Sequence, residues 1–141
     1  MSFKSAAVLS VVALLTAGTA RAEIIHFAAT LTGADEVPAK TTAGRGVASA
    51  ELETMENTLT YRASYSGLTG PATMAHFHGP AAPGANAPPI ITPASPVDPI
   101  SGATVLTQQQ ADDLLAGKWY FNVHTQANPG GEIRGQLKRQ N

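Results

Sequence analysis

Apolar side chains recur at every second position along most of this chain, which restricts it to strands with one buried face. In residues 24–31, Ile25, Phe27 and Leu31 point to a core while His26 and Thr30 point away. Residues 46–53 and 58–66 repeat the pattern and read as a hairpin across Met55-Glu56-Asn57, with Tyr61 and Tyr65 on one face. Residues 73–79 form the next strand. Residues 118–125 and 131–138 pair around a turn at Asn128-Pro129-Gly130. In that pair Trp119, Phe121 and Val123 share one face, and Ile133 and Leu137 continue it. Tyr120, Asn122 and His124 share the other, continued by Glu132, Arg134 and Gln136.

About seven short strands, with turn signals every 8–12 residues, predict an all-β antiparallel sandwich or Greek-key barrel. One short helix interrupts them. Thr107 as N-cap and Gln110 at N3 form a capping box, Leu114 and Leu115 supply the apolar stripe, and Gly117 ends the helix. Asp112 and Asp113 read as its solvated face. Between the strands, residues 79–99 hold most of the ten prolines together with Gly84 and Asn86. Proline cannot donate to a sheet ladder, so this segment is a long irregular strap.

The first 22 residues read as a secretory leader. Lys4 makes a positive start, residues 6–17 are apolar, and Ala20-Arg21-Ala22 is a small-x-small cleavage site. The apolar run is too short to span a bilayer, so residues 23–141 are expected as one exported domain, periplasmic or secreted, with no membrane span. The chain has nine basic and ten acidic side chains; without Lys4 and Arg21 the balance is seven to ten, a formal charge of −3. No basic stripe remains for nucleic acid. There are no cysteines, which removes thiolate ligands, thiol nucleophiles and disulfides, and limits any metal to imidazole and oxygen donors.

Three of the four histidines fall in two segments. His76 and His78 stand at i, i+2 in a strand, which puts both rings on one face about 6.5–7 Å apart along the chain. His124 lies in a later strand. If those strands are neighbours, three imidazoles converge and suit one copper or zinc ion. Glu132 could complete that shell, or accept from an imidazole; His26 is the other candidate for a fourth ligand. Alternatively the ring nitrogens bond loop carbonyls, and Glu36, Asn122, Glu132 and Arg134 form a polar cluster tying the 33–38 loop to the last hairpin. No nucleophile elbow surrounds Ser64, Ser66 or Ser101, and no catalytic set is complete.

Five segments together carry a resemblance: Leu31-Thr32-Gly33-Ala34-Asp35-Glu36-Val37-Pro38, Gly67-Leu68-Thr69, His76-Phe77-His78-Gly79-Pro80, the run 115–125, and the run 128–137. They look like the CHRD domain, the module noted in chordin and found in bacterial exported proteins, and the likeness covers residues 24–138. It implies secretion and a β-sandwich, immunoglobulin-like or superoxide-dismutase-like in topology, and names no reaction. A second likeness, to copper/zinc superoxide dismutase, rests on the His-x-His pair. That family's disulfide cysteines and its His- and Asp-rich metal loop are missing here, so the likeness supports at most one metal. Three functions follow as expectations: a module binding an unknown protein or small ligand, a mononuclear copper or zinc protein, and a structural envelope protein.

Overall fold

The computed structural model describes residues 21–141, so the leader expected over residues 1–22 lies almost wholly outside the described residues. Among the described residues, nine strands occur in the order β1 (Ile24–Thr32), β2 (Arg45–Glu53), β3 (Thr58–Ser66), β4 (Ala72–His78), β5 (Pro89–Ile91), β6 (Ile100–Val105), β7 (Tyr120–Thr125), β8 (Ile133–Gln136) and β9 (Lys138–Arg139). One helix, α1 (Gln108–Leu115), precedes β7, and a 3₁₀ turn (Gly33–Asp35) follows β1. The strands form a single antiparallel path, β5-β4-β7-β8-β1-β2-β3-β6, with β9 also pairing β1. No helix among the described residues is long and apolar enough to cross a membrane.

The path curls upon itself. Five steps separate β4 from β3, roughly 24 Å in a flat sheet. Yet the rings of Tyr61 on β3 and Phe77 on β4 meet edge to face with centroids 5.0 Å apart. Curling makes the two ends of the sheet face each other across one core, in which Phe27, Leu31, Leu52, Leu59, Phe77, Trp119, Phe121, Ile133 and Leu137 are all but fully buried. The alternating pattern supplies this directly, since each strand of the β1-β2-β3 meander buries every second residue.

Two local expectations need correction. The helix has its capping box in both directions, but its buried stripe is Ala111 and Leu114; Leu115 is exposed. A two-turn helix resting on an i, i+3 pair leaves its last residue at the rim. Asp113 is not on a solvated face: it is buried, its carboxylate lies 3.7 Å from Lys118 Nζ, and its carbonyl accepts from the Lys118 amide.

The strap between β4 and β6 positions the site. All six residues of β7 are buried, Tyr120, Asn122 and His124 included. The core covers one face of this strand. The other lies under residues 81–88, whose carbonyls take hydrogen bonds from His78, Tyr120, Arg134 and Gln136. A strand buried on both faces would ordinarily be apolar throughout. Here its polar face is kept because the strap's backbone needs donors, having few partners of its own.

Candidate metal centre

Phe77 fixes the orientation of the site. Its ring is fully buried against Phe121 (centroids 4.7 Å) and Tyr61, so His76 and His78 must point to the opposite face of β4. Strand β4 pairs with β7, placing His76 across from Asn122 and His78 across from Tyr120. His124, two residues beyond Asn122, falls on the same face. The strands are therefore neighbours, and ligand atoms of His76, His78 and His124 lie within 4.8 Å of one another.

Each ring is oriented by what its nitrogens touch. His78 Nδ1 is 2.9 Å from the carbonyl of Ala87, and His124 Nδ1 is 2.9 Å from that of Pro129. A carbonyl only accepts, so both Nδ1 atoms carry the proton, and both neutral rings present a bare Nε2 lone pair. These lone pairs converge: each Nε2 is 2.9 Å from Asn122 Oδ1, and His124 Nε2 is 3.0 Å from His76 Nδ1. The Ala87 and Pro129 carbonyls thus act as the outer partners that fix ring tautomers in metal sites.

Protonation is disfavoured at all three rings. Burial, then the charges of His124 and His78, push His76 down to about 4. Burial also lowers His78 and His124, outweighing the carbonyl hydrogen bonds that favour their charged forms. Neutral imidazoles are the form that binds metal. His78 also stacks on Tyr120 (centroids 4.6 Å, interplanar angle 4°), whose ring also carries the Arg134 guanidinium, 3.4 Å from its centroid.

The remaining expected residues fall elsewhere. His26 is exposed on β1, its Nδ1 3.4 Å from the Glu51 carboxylate, and does not join the three rings. Glu132 does not join them either. It is fully buried and takes hydrogen bonds from Thr42 Oγ1 (2.6 Å), the Thr69 amide (2.9 Å), Thr69 Oγ1 (2.6 Å), Thr125 Oγ1 (2.7 Å) and Asn128 Nδ2 (3.2 Å). Burial pushes its carboxyl up, but these hydrogen bonds win and hold it at about 2. The expected four-residue polar cluster is therefore split. Glu36 and Asn122 stay side by side against Gly131, with Arg134 close enough to act on Glu36 by charge, while Glu132 belongs to a separate threonine-lined centre. Burial raises Glu36 to about 7 against the Arg134 charge and the neighbouring Asn122 amide.

Sequence reasoning missed Thr42, Thr69 and Thr125 as carboxylate partners, and Tyr120 as the plate between His78 and Arg134. Tyr120 had a signal, since the period-2 pattern places it on the histidine face. The threonines had none, because three separate segments supply them.

An antiparallel all-β domain with three imidazoles gathered under a proline-rich strap is the class of protein these observations define. The family model of the CHRD domain matches residues 27–137, and the chain belongs to that family. No curated protein and no solved structure matches the chain.

Proposed function

We propose that this protein is an exported CHRD-domain binding module that holds one metal ion, copper or zinc, through His76, His78 and His124. The observation that carries the reading is the convergence of three neutral imidazoles, two of them with Nε2 lone pairs turned toward the Asn122 amide oxygen, itself an acceptor. Lone pairs buried against another acceptor are costly, and a cation placed among them relieves that cost. Export is supported by the leader pattern of residues 1–22, and periplasmic or secreted protein should begin at Glu23 on N-terminal sequencing. Placement of β1 between β2 and the C-terminal strands supports a Greek-key, superoxide-dismutase-like reading of the curled sheet.

Metal analysis of untagged protein, repeated for His78→Ala and His124→Ala, tests the reading. One equivalent in the parent and a tenth or less in both variants is the expected result; equal, sub-stoichiometric metal in all three removes it. That outcome would leave the rings as tethers of the strap through Ala87 and Pro129. Redox chemistry is a second reading, favoured because His76 is the least buried of the three and leaves one side of the cluster open. Superoxide dismutation by the copper-loaded protein checks it, and no measurable rate leaves a carrier or structural site.

A further inference from the structure

Asn122 is placed in a way that a purely structural amide is not. Its Nδ2 lies on the Gly131 side, beside the Glu36 carboxylate, and its Oδ1 faces inward between two histidines at 2.9 Å each. Both of those nitrogens are lone-pair atoms, because their ring partners Nδ1 donate to carbonyls. Oxygen and nitrogen lone pairs therefore point at one another with no proton between them, in a buried position.

Donor-atom spacing supports one arrangement. Going from His76 Nδ1 to His124 Nε2 to Asn122 Oδ1 to His78 Nε2, three successive separations are 3.0, 2.9 and 2.9 Å. Neighbouring ligands at about 2.0–2.1 Å from a metal are roughly 3.3 Å apart in a tetrahedron and roughly 2.9 Å apart when they subtend a right angle. These three spacings suit ligands that subtend about a right angle, the geometry that nitrogen and oxygen donors give Cu(II) or Ni(II); the imidazole atoms span up to 4.8 Å, wider than the roughly 4.1 Å across such a square, so the rings must close in on the ion. No sulfur is available in this set to favour Cu(I).

Resting on the three-imidazole reading, we infer that Asn122 Oδ1 is the fourth ligand of the site, making it a tetragonal N₃O centre for a divalent ion of the Cu(II) type. Glu36 then acts as a positioning residue: its carboxylate beside the Asn122 Nδ2 favours the amide orientation that turns the carbonyl oxygen toward the rings. Gly131 makes room for this pair, since a Cβ there would run into the Glu36 carboxylate and the Asn122 amide.

The test is titration of untagged protein with Cu(II) and with Zn(II), in the parent, Asn122→Ala and Asn122→Asp, with circular dichroism to verify folding. Asn122→Ala should bind Cu(II) roughly 10- to 100-fold more weakly, and Asn122→Asp, which restores an oxygen donor, should recover the parent affinity or exceed it. Electron paramagnetic resonance of the Cu(II) parent should show a tetragonal centre whose parallel hyperfine coupling shifts in Asn122→Ala. Unchanged or tighter binding by Asn122→Ala overturns the ligand role and leaves the three-imidazole site standing; tighter binding would mean that the amide competes with the metal. Equal weakening in both variants also overturns it, reducing Asn122 to a spacer. If Asn122→Ala does not fold, Asn122→Asp decides alone, with tenfold weaker binding counting against ligation. A folded parent that binds neither ion ends both this inference and the reading beneath it.

Discussion

Two buried polar centres lie within one strand pair of each other, and they are built on opposite principles. Around Glu132 a single carboxylate is met by five donors from four residues, on three loops and a strand end. Around Asn122 the count reverses: an amide oxygen and two imidazole lone pairs gather with only His76 Nδ1 in reach to donate, and the donors on the His78 and His124 rings point away to Ala87 and Pro129. A centre whose donors and acceptors balance is complete as it stands and serves the fold. A centre left with surplus acceptors is complete only when something positive arrives. Residue types alone would have suggested the reverse, because a buried carboxylate offers a cation full charge and an amide oxygen only a dipole.

The largest expected effect follows from the balanced centre. Glu132→Ala strips five donors of their acceptor in a fully buried place, and should cost about 3–5 kcal/mol of folding stability, measured by denaturant unfolding of metal-free protein. A loss below about 1 kcal/mol would show that water replaces the carboxylate freely and would erase the contrast with the histidine patch.

Acid titration sharpens the same point. Because Glu132 is held at about 2, its contribution is present above the ordinary carboxylate value of 4.5 and is lost as pH falls through about 2. That limb amounts to about 3 kcal/mol. Glu132→Gln should flatten it. His76, lowered to about 4, works in the same direction: its contribution is present above 6.5 and lost as pH falls through about 4. Glu36 works oppositely, since a carboxyl raised to about 7 stabilises the fold below pH 4.5 and loses that contribution as pH rises through about 7.

These contrasts show how much of the molecule its sequence discloses. Period-2 alternation placed His76 and His78 opposite Phe77, and His124 opposite Val123, so the faces of the site were legible from local pattern alone. Convergence needed only one further fact, that β4 and β7 are neighbours. What stayed hidden was set by register and closure. Asn122 lies across from His76 because of a particular pairing of two strands about 40 residues apart in sequence. Thr42 and Thr69 reach Glu132 only after the loops following β1 and β3 have closed over the last hairpin. Leu115 illustrates the same limit in small: a capping box announces a helix, but not which side of its last turn meets the sheet.

Gly131 links the two centres and gives a smaller effect. Its φ of +122° disfavours any side chain, and a Cβ would collide with Glu36 and Asn122. Gly131→Ala should cost about 1–3 kcal/mol and weaken metal binding by displacing Asn122, while the Glu132 acid limb persists. Loss of that limb in the variant would mean that the two centres are one network.

The smallest expected effect is the most telling about the histidine patch. In metal-free protein, His76→Ala removes a ring that is only part-buried and touches the cluster through His124 Nε2. Because the deletion removes a single hydrogen bond at the open edge of the cluster, its cost should stay within about 1 kcal/mol. The same substitution in metal-loaded protein should lower the unfolding midpoint clearly, since an ion bound only by the folded state adds stability that grows with its affinity. The difference between the loaded and metal-free effects of His76→Ala isolates what the ion contributes. Equal effects in the two states would place His76 with Glu132, as a side chain that serves the fold alone.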